Sequence, residues 1–216
     1  YDPYLGKRKR FVQRFAELLA REQLDVRWYA EMRADMDLEL LGPMRDAGCA
    51  SIDFGLETAS PRVLEAIHKK ITPEQASAFI HRCAELGIRV QAFSMLSLPD
   101  EREEDAKMTL RFIEDHWHLL TSSYMALTKI FPGTALERMA RERGILPPDF
   151  RWYDRSVTYC TIQDPDNRVP VWREHLSDEF IHYVLERRHK LEYADRPFLA
   201  QVKDRMVPFA TDWTPE

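Results

Sequence analysis

Helical and strand-like segments alternate along about the first 145 residues, and this alternation restricts the fold more than any other feature of the sequence. Short apolar and β-branched runs predict strands over 25–30, 51–55, 88–96 and 122–128. Amphipathic patterns predict helices over 7–22, 38–47, from residue 60, 72–86, from residue 100, and 134–143. Strands separated by helices at this spacing pair in parallel through right-handed crossovers. We therefore predict an α/β fold with about four parallel strands and flanking helices.

The helix predicted over 72–86 has the clearest boundaries. Thr72 is a good N-cap, Pro73 suits the first helical position, and Gln75 completes a capping box. Gly87 follows as a residue type that commonly ends helices. Pro43 is the opposite case, because it lies inside the helix predicted over 38–47, where proline kinks or shortens a helix.

The character of the sequence changes after about residue 145, where Pro147-Pro148 interrupts the alternation. We predict two regions, a first one over 1–144 that holds the parallel strands and a mainly helical C-terminal extension over 145–216. The extension is expected to contain helices over 177–192 and near 197–206. Two helices are predicted to bury a defined face. These faces carry Phe11, Phe15, Leu18 and Leu19 in the first helix, and Phe180, Ile181, Val184 and Leu185 in the helix over 177–192.

Charge and composition exclude several classes of function. The net charge is −5 with mixed signs among the 31% of charged residues, which is not the footprint of a nucleic-acid-binding surface. No apolar run approaches the ~20 residues of a membrane span, and no signal peptide is visible, so a cytoplasmic location is expected. The three cysteines, Cys49, Cys83 and Cys160, have neither metal-site nor redox-motif spacing.

Five short phrases lie at or near the predicted strand ends. In chain order they are Trp28-Tyr29-Ala30-Glu31-Met32-Arg33, Ala47-Gly48-Cys49, Phe54-Gly55-Leu56-Glu57-Thr58, Leu96-Ser97-Leu98-Pro99-Asp100-Glu101 and Phe131-Pro132-Gly133-Thr134. Their order and spacing resemble the later part of the core of radical S-adenosylmethionine (SAM) enzymes. The closest resemblance is to the branch that often carries a cobalamin-binding domain upstream, such as the anaerobic magnesium-protoporphyrin IX monomethyl ester cyclases. The CxxxCxxC loop that defines the family is absent from this sequence.

The resemblance implies the third to sixth βα units of a six-unit partial TIM-type barrel. It implies SAM as a cofactor, an iron–sulfur cluster held by ligands outside this chain, and cobalamin as a further cofactor outside it. In the family, the cluster delivers an electron to SAM and generates a 5′-deoxyadenosyl radical. The implied partners are a small-molecule substrate and an electron donor such as flavodoxin or ferredoxin. Because cluster ligands are missing, the chain by itself is expected to be inactive, with no catalytic residue and no metal ligand.

Three candidate cofactor-binding residues follow the first and second predicted strands. Glu57 and Thr58 stand at the family's Gly-x-Glu-Ser phrase, which implies that Glu57 lies near the ribose and methionine moiety of SAM. The alternative for Glu57 is a helix cap or an ion pair within the barrel. Arg33 stands at the family's usual arginine, which implies a contact with the SAM carboxylate. Its alternative is an ion pair with Asp35 or Asp37.

Three more candidates lie further along the chain. Ser97 and Asp100 replace the two glycines of the family's Gly-x-Pro-Gly-Glu turn, and the resemblance places Ser97 near the adenine. Pro132 is implied to shape the adenine edge through backbone contacts. Gln91 is a polar residue on an otherwise apolar face of the strand over 88–96, where it either reaches a ligand or forms an interior hydrogen bond.

The predicted function is a part of a SAM-dependent radical oxidoreductase or transferase. Methylation of an unactivated carbon, ring closure on a tetrapyrrole and methylthiolation stay open at this point. A catalytically inactive scaffold or docking module with a barrel-like shape is the alternative. An ordinary TIM-barrel lyase or aldolase is a third hypothesis, for which Lys129 is the lysine at a strand end, but four strands are too few. An exposed barrel edge would favour self-association of the chain.

Overall fold

Four parallel strands form one sheet in the computed structural model, which describes residues 9–153 and 169–194. The strands follow chain order across the sheet and are β1 (Trp28–Met32), β2 (Cys49–Glu57), β3 (Arg89–Leu96) and β4 (Ser122–Leu127). At least one helix joins each strand to the next, as parallel pairing requires. This arrangement confirms the predicted α/β fold, a partial TIM-type barrel with four parallel strands.

The α-helices within these two ranges are α1 (Lys9–Arg21), α2 (Leu41–Asp46), α3 (Pro61–Ala66), α4 (Pro73–Glu85), α5 (Glu103–His116), α6 (Ala135–Glu142) and α7 (Asp178–Leu191). The capping box predicted for α4 is formed by Thr72 and Gln75, and Gly87 follows the helix with a φ of 70°. None of the helices in the described part of the chain is both long and apolar enough to cross a membrane.

Some predicted boundaries were wrong, for local reasons. The first strand occupies Trp28–Met32 rather than 25–30, because its pairing with β2 begins at Trp28, opposite Cys49. The helix predicted over 38–47 is divided into a 3₁₀ turn, Leu38–Leu40, and the short α2. Pro43 thereby lies in the first turn of α2. Backbone N–H groups in a first turn have no intrahelical acceptor, so the missing N–H of proline costs no hydrogen bond there.

The predicted buried face of the first helix was also wrong. Val12 and Ala16 are its buried residues, whereas Phe11 is 52% exposed. Phe15 still packs edge-on against Trp28 of β1, with ring centroids 5.3 Å apart. The helix predicted near 197–206 lies outside the described residues, and the boundary at residue 144 stays a prediction.

The two faces of the sheet differ in their surroundings. Ile52 and Phe54 of β2 are buried against the helices, and the Phe54 ring lies 5.2 Å from the Phe79 ring of α4. The residues that alternate with Ile52 and Phe54 lie on the other face of the sheet, which is partly open. In β3, Ala92 and Leu96 lie on the buried face, so the face that carries Gln91 is the open one.

Helix α7 packs against α5 and reaches the edge strand β4 through Arg188. Phe180, Ile181 and Val184 are buried, which confirms the predicted face of this helix, and Leu185 packs partly buried against the core. The Arg188 guanidinium donates to the carbonyl of Ser123 in β4. A side chain thereby binds a backbone group on the edge strand, which reduces the tendency of that edge to pair with another chain.

Candidate functional site

The candidate site is a cleft of about 370 Å³ on the open face of the sheet, next to the carboxyl ends of the strands. Its lining residues are Glu31, Met32, Arg33, Asp53, Gly55, Glu57, Lys69 and Phe93. Strands β1 and β2 supply most of its polar groups, and β3 supplies the aromatic ring of Phe93. Ligands of parallel α/β sheets bind at this end of the strands. The cleft therefore lies where the fold favours a binding site.

A close ion pair forms part of the cleft wall. The Lys69 ammonium donates to Glu57 Oε1 over 2.6 Å, and both side chains are largely shielded from solvent. Gly55 lies directly beneath this pair. A Cβ atom at position 55 would lie 2.4 Å from Glu57 Oε1 and 2.9 Å from Lys69 Nζ, so a side chain there would displace the pair. The sequence interpretation missed Lys69, although the glycine inside an apolar strand is a known indication of close approach.

Glu57 has an uncommon backbone conformation, with a φ of 61°. It ends β2 at a bulge, because Gly55 pairs with Phe93 of β3 whereas Glu57 pairs with Ser94, so that Leu56 is an additional residue. A non-glycine residue in the left-handed region costs about 1–2 kcal/mol. Such strain persists only where surrounding contacts hold the backbone in place.

The contacts that hold this backbone come from α5. Thr58 Oγ1 lies 2.9 Å from Thr109 Oγ1, and the backbone N–H of Ala59 donates to Thr109 Oγ1 over 3.0 Å. Ser60 N donates to Thr58 Oγ1 over 3.1 Å, and Ser60 Oγ donates to Asp105 over 2.6 Å. Thr58 is fully buried within this network and does not line the cleft. Its predicted contact with a cofactor stays a prediction.

Arg33 lines the cleft beside β1. Its guanidinium forms a two-point ion pair with Asp35, with N–O distances of 3.0 and 3.2 Å. This is the alternative that the sequence left open for Arg33. Asp35 orients the planar guanidinium, which presents five N–H donors in total. The structure thus places Arg33 at the cleft, and its contact with a ligand stays a prediction.

Two carboxyl groups that the sequence interpretation missed lie side by side in the cleft. Glu31 of β1 and Asp53 of β2 are register partners and face the same side of the sheet. Burial raises the pKa of the Asp53 carboxyl, and the nearby Glu31 carboxylate raises it further. Asp53 stands between the buried Ile52 and Phe54, and this alternation of polar and apolar residues is the pattern that could have indicated it.

Two further candidates, Gln91 and Pro132, lie on β3 and in the loop after β4. Gln91 is the register partner of Asp53 on the open face, and its Oε1 accepts from Ser122 Oγ over 2.8 Å. Pro132 is exposed in the loop after β4. Neither residue is among those that line the cleft. The structure therefore brings Arg33 and Glu57 together in one site.

Ser97 and Asp100, in the loop after β3, both have left-handed backbone conformations, with φ values of 64° and 61°. These are the two positions at which the resembled family has glycine. Ser97 is buried, and its hydroxyl donates to the carbonyl of Trp172 over 2.7 Å. Asp100 N donates to Glu174 over 3.2 Å, and the Asp100 carboxylate pairs with Arg143 over 2.9 Å. The predicted contact of Ser97 with adenine stays a prediction.

These bonds attach a segment that we call the strap, residues 169–176, to the loop after β3. Arg143 pairs with both Asp100 and Glu174, and this lowers the pKa of each carboxyl. Asp100, Glu174 and His175 bring potential metal-ligand atoms within 4.8 Å of one another, but both carboxylates are already paired with the Arg143 guanidinium. Trp172 is fully buried and packs with Ile130, Ala140 and Leu146 in a second hydrophobic cluster.

The described cysteines do not fit an iron–sulfur cluster. Cys49 and Cys83 are fully buried in the core. Burial raises the pKa of the Cys49 thiol to about 12 and raises the pKa of the Cys83 thiol well above its usual range. Cluster ligands are thiolates, so these two protonated thiols are packing residues. Cys160 lies outside the described residues.

Comparison with known proteins identifies the family. A sequence model of the radical SAM superfamily matches residues 4–113, slightly more than half of the chain. The chain belongs to the radical SAM superfamily. This membership confirms the resemblance predicted from the five phrases. SAM and an iron–sulfur cluster are the cofactors of this superfamily, as the resemblance implied.

Two curated relatives of this radical SAM chain are methyltransferases by name. An uncharacterized methyltransferase of Pyrococcus horikoshii is 31% identical over 131 residues, which are 59% of this chain and 28% of that protein. The hopanoid C-2 methylase of Rhodopseudomonas palustris is 25% identical over 203 residues, which are 89% of this chain and 37% of that protein. The chain therefore spans well under half the length of these relatives. The comparisons give no support to the predicted cyclase-like or oxidoreductase classification.

A solved structure shows the same radical SAM fold. TsrM from Kitasatospora setae is a radical SAM methyltransferase whose structure holds a tryptophan substrate and a SAM analogue. It matches this chain with a TM-score of 0.52 and 19% identity, over 62% of this chain and 27% of TsrM. A second structure of TsrM holds cobalamin and a [4Fe–4S] cluster. At this identity the likeness confirms the fold.

Proposed function

We propose that this chain forms the SAM-binding rim of a cobalamin-dependent radical SAM methyltransferase acting on a small molecule. The observation that carries the proposal is the Glu57–Lys69 ion pair over Gly55, in a cleft at the carboxyl ends of the strands. Family membership, the methyltransferase names of the relatives and the cobalamin bound by TsrM support the assignment.

The chemistry of the cleft fits SAM. SAM has a carboxylate, an ammonium group, ribose hydroxyls and an adenine ring, and it supplies either a methyl group or a 5′-deoxyadenosyl radical when bound. The Lys69 ammonium and the Arg33 guanidinium are suited to its carboxylate, and the Glu57 carboxylate can accept from its ammonium or ribose hydroxyls. Phe93 offers an apolar surface at the same cleft. These residues would bind and orient the cofactor and exclude water.

The cluster itself is assigned to residues outside this chain, because the sequence has no CxxxCxxC loop and the two described cysteines are buried with raised thiol pKa values. We therefore propose that the 216-residue chain alone does not cleave SAM, and that an electron donor such as flavodoxin or ferredoxin acts on the larger protein. The open side of the sheet at β1 also supports the proposal that the isolated chain self-associates.

The test uses the full-length protein that contains this chain, purified without oxygen. SAM binding is measured by isothermal titration calorimetry, and methyl transfer is measured by mass spectrometry with SAM labelled in the methyl group. Glu57→Gln and Lys69→Met are each expected to raise the Kd for SAM about tenfold, which corresponds to the loss of one charge-assisted hydrogen bond. Glu85→Gln is the matched control, because Glu85 is an exposed residue at the end of α4.

The outcomes separate the proposal from its alternatives. Unchanged SAM affinity in both Glu57→Gln and Lys69→Met would exclude this cleft as the SAM site. Binding of SAM without any labelled product would support the SAM site but would refute methyl transfer. Absence of SAM binding in the full-length protein would favour the inactive scaffold.

A further inference from the structure

Thr109 is a buried residue of α5 whose hydroxyl supports the residues that follow Glu57. It is 1% exposed and is not among the residues that line the cleft. Its Oγ1 donates to the carbonyl of Asp105, four residues earlier in the helix, over 3.2 Å. Because a hydroxyl has a single proton, this bond fixes the direction of the others. Thr109 Oγ1 then accepts from Thr58 O–H and from Ala59 N–H.

The bonds to Thr109 hold the chain just after the bulge at Leu56. Ser94, the register partner of Glu57, belongs to the buried face of β3. Within β2, Leu56 is fully buried like Phe54, whereas Gly55 and Glu57 alternate to the open face. The bulge shifts the register with β3, so the Glu57 side chain stays on the cleft side although its partner Ser94 faces the helices, and Glu57 has a left-handed φ at this shift.

We propose that Thr109 is a positioning residue that holds the Glu57 carboxylate in the cleft, through Thr58 and Ala59. The inference rests on the proposed function of Glu57 in binding SAM. Thr58 and Ala59 are both buried, so neither the Thr58 hydroxyl nor the Ala59 N–H has water as a substitute partner. Removing the Thr109 hydroxyl releases the strained backbone of Glu57 toward ordinary extended geometry. The carboxylate then leaves its place above Gly55 and beside Lys69.

The test compares two substitutions at Thr109 in the anaerobically purified full-length protein. Thr109→Val keeps the volume but removes the hydroxyl, and Thr109→Ser keeps the hydroxyl. We expect Thr109→Val to raise the Kd for SAM about tenfold and Thr109→Ser to stay within about twofold of the wild type. Thr128→Val is the matched control, because it removes a buried hydroxyl that bonds to Leu96 O and is not part of the Glu57 network.

A double-substitution cycle distinguishes positioning from a loss of stability. In a Glu57→Gln background, Thr109→Val is expected to have no further effect on the Kd for SAM, because its effect acts through Glu57. Thr109→Val alone is also expected to speed amide hydrogen exchange over residues 57–60. If Thr109→Val does not fold, Thr58→Val breaks the same connection from the other side and is expected to weaken binding in the same way.

Three results would overturn the inference and are distinguishable from one another. Weaker SAM binding in Glu57→Gln, together with unchanged binding in Thr109→Val, would refute the positioning role and leave the proposed function intact. Unchanged SAM binding in Glu57→Gln would refute the proposed function, and the inference with it. Equal losses in Thr109→Val and Thr128→Val would assign the effect to general destabilisation and would also overturn the inference.

Discussion

Replacing Ser97 by glycine tests whether the strap, residues 169–176, is held by the loop after β3. Ser97 has a φ of 64°, which glycine adopts without strain. In a turn without side-chain hydrogen bonds, replacing serine by glycine at such a position would therefore be stabilising. Here the Ser97 hydroxyl also donates to the buried carbonyl of Trp172 over 2.7 Å. The two effects oppose each other, and the sign of the measured change in stability decides which is larger.

The magnitudes favour the hydrogen bond. Relief of the left-handed conformation contributes about 1–2 kcal/mol, and about 0.5–1 kcal/mol of this is offset by the backbone entropy of glycine. Loss of the bond leaves the Trp172 carbonyl buried without this partner, which costs about 1–3 kcal/mol. We expect Ser97→Gly to lower the free energy of unfolding by about 1 kcal/mol. Ser97→Ala retains the strain and should lower it by about 2 kcal/mol.

Thermal denaturation and amide hydrogen exchange measure these changes. The expected decreases in Tm are about 2–4 °C for Ser97→Gly and about twice that for Ser97→Ala. Exchange over residues 169–176 should become faster in both variants. His68→Gly is the matched control, because His68 has a φ of 56° but is exposed and follows α3, away from the strap. We expect that control to be neutral or stabilising. A Ser97→Gly variant more stable than the wild type, with unchanged exchange in the strap, would refute the reasoning.

Two further predictions concern the cleft and the same loop. Gly55→Ala is expected to weaken SAM binding by at least about tenfold while lowering the Tm little, because the new Cβ would displace Glu57 and Lys69 and alanine is otherwise compatible with a strand; isothermal titration and thermal denaturation of one preparation test both parts, and unchanged affinity would contradict the prediction. Burial raises the pKa of the Glu101 carboxyl to about 7, so the folded state holds a proton that the unfolded state has lost above about pH 4.5. Stability should therefore fall as the pH rises from about 4.5 to about 7, and Glu101→Gln should remove up to about 3 kcal/mol of that fall in urea titrations; equal pH dependence in the two proteins would contradict this assignment.

The sequence predicted the elements whose determinants are local. Thr72, Pro73 and Gln75 supply a cap, a first-turn proline and a capping box within four residues, and α4 begins there. The beginning of β1 was misplaced because the strand begins where its pairing with β2 begins, at Trp28 opposite Cys49. The local pattern of β1 contains no information about where the partner strand begins.

The candidate site was predicted only in part, for the same physical reason. Glu57 and Arg33 belong to phrases that identify the family, and both lie in the cleft. Lys69 reaches Glu57 across twelve residues of sequence, and that contact exists only because α3 follows the bulge at the end of β2. The burial of Thr58 behind the cleft likewise depends on Thr109, which is contributed by a different helix. Tertiary contacts of this kind cannot be obtained from residue types and spacing.

Strained residues end both central strands, and each is held by residues distant in sequence. Glu57 at the end of β2 is held through Thr109, which lies within the region matched by the family. Ser97 and Asp100 at the end of β3 are held by Arg143 and the strap, and these lie beyond residue 113, where the family match ends. Glycine would satisfy both loop positions without any partner. The non-glycine residues make the loop after β3 dependent on the C-terminal part of the chain, so changes in the strap can alter the shape of the rim while every cleft-lining residue stays the same.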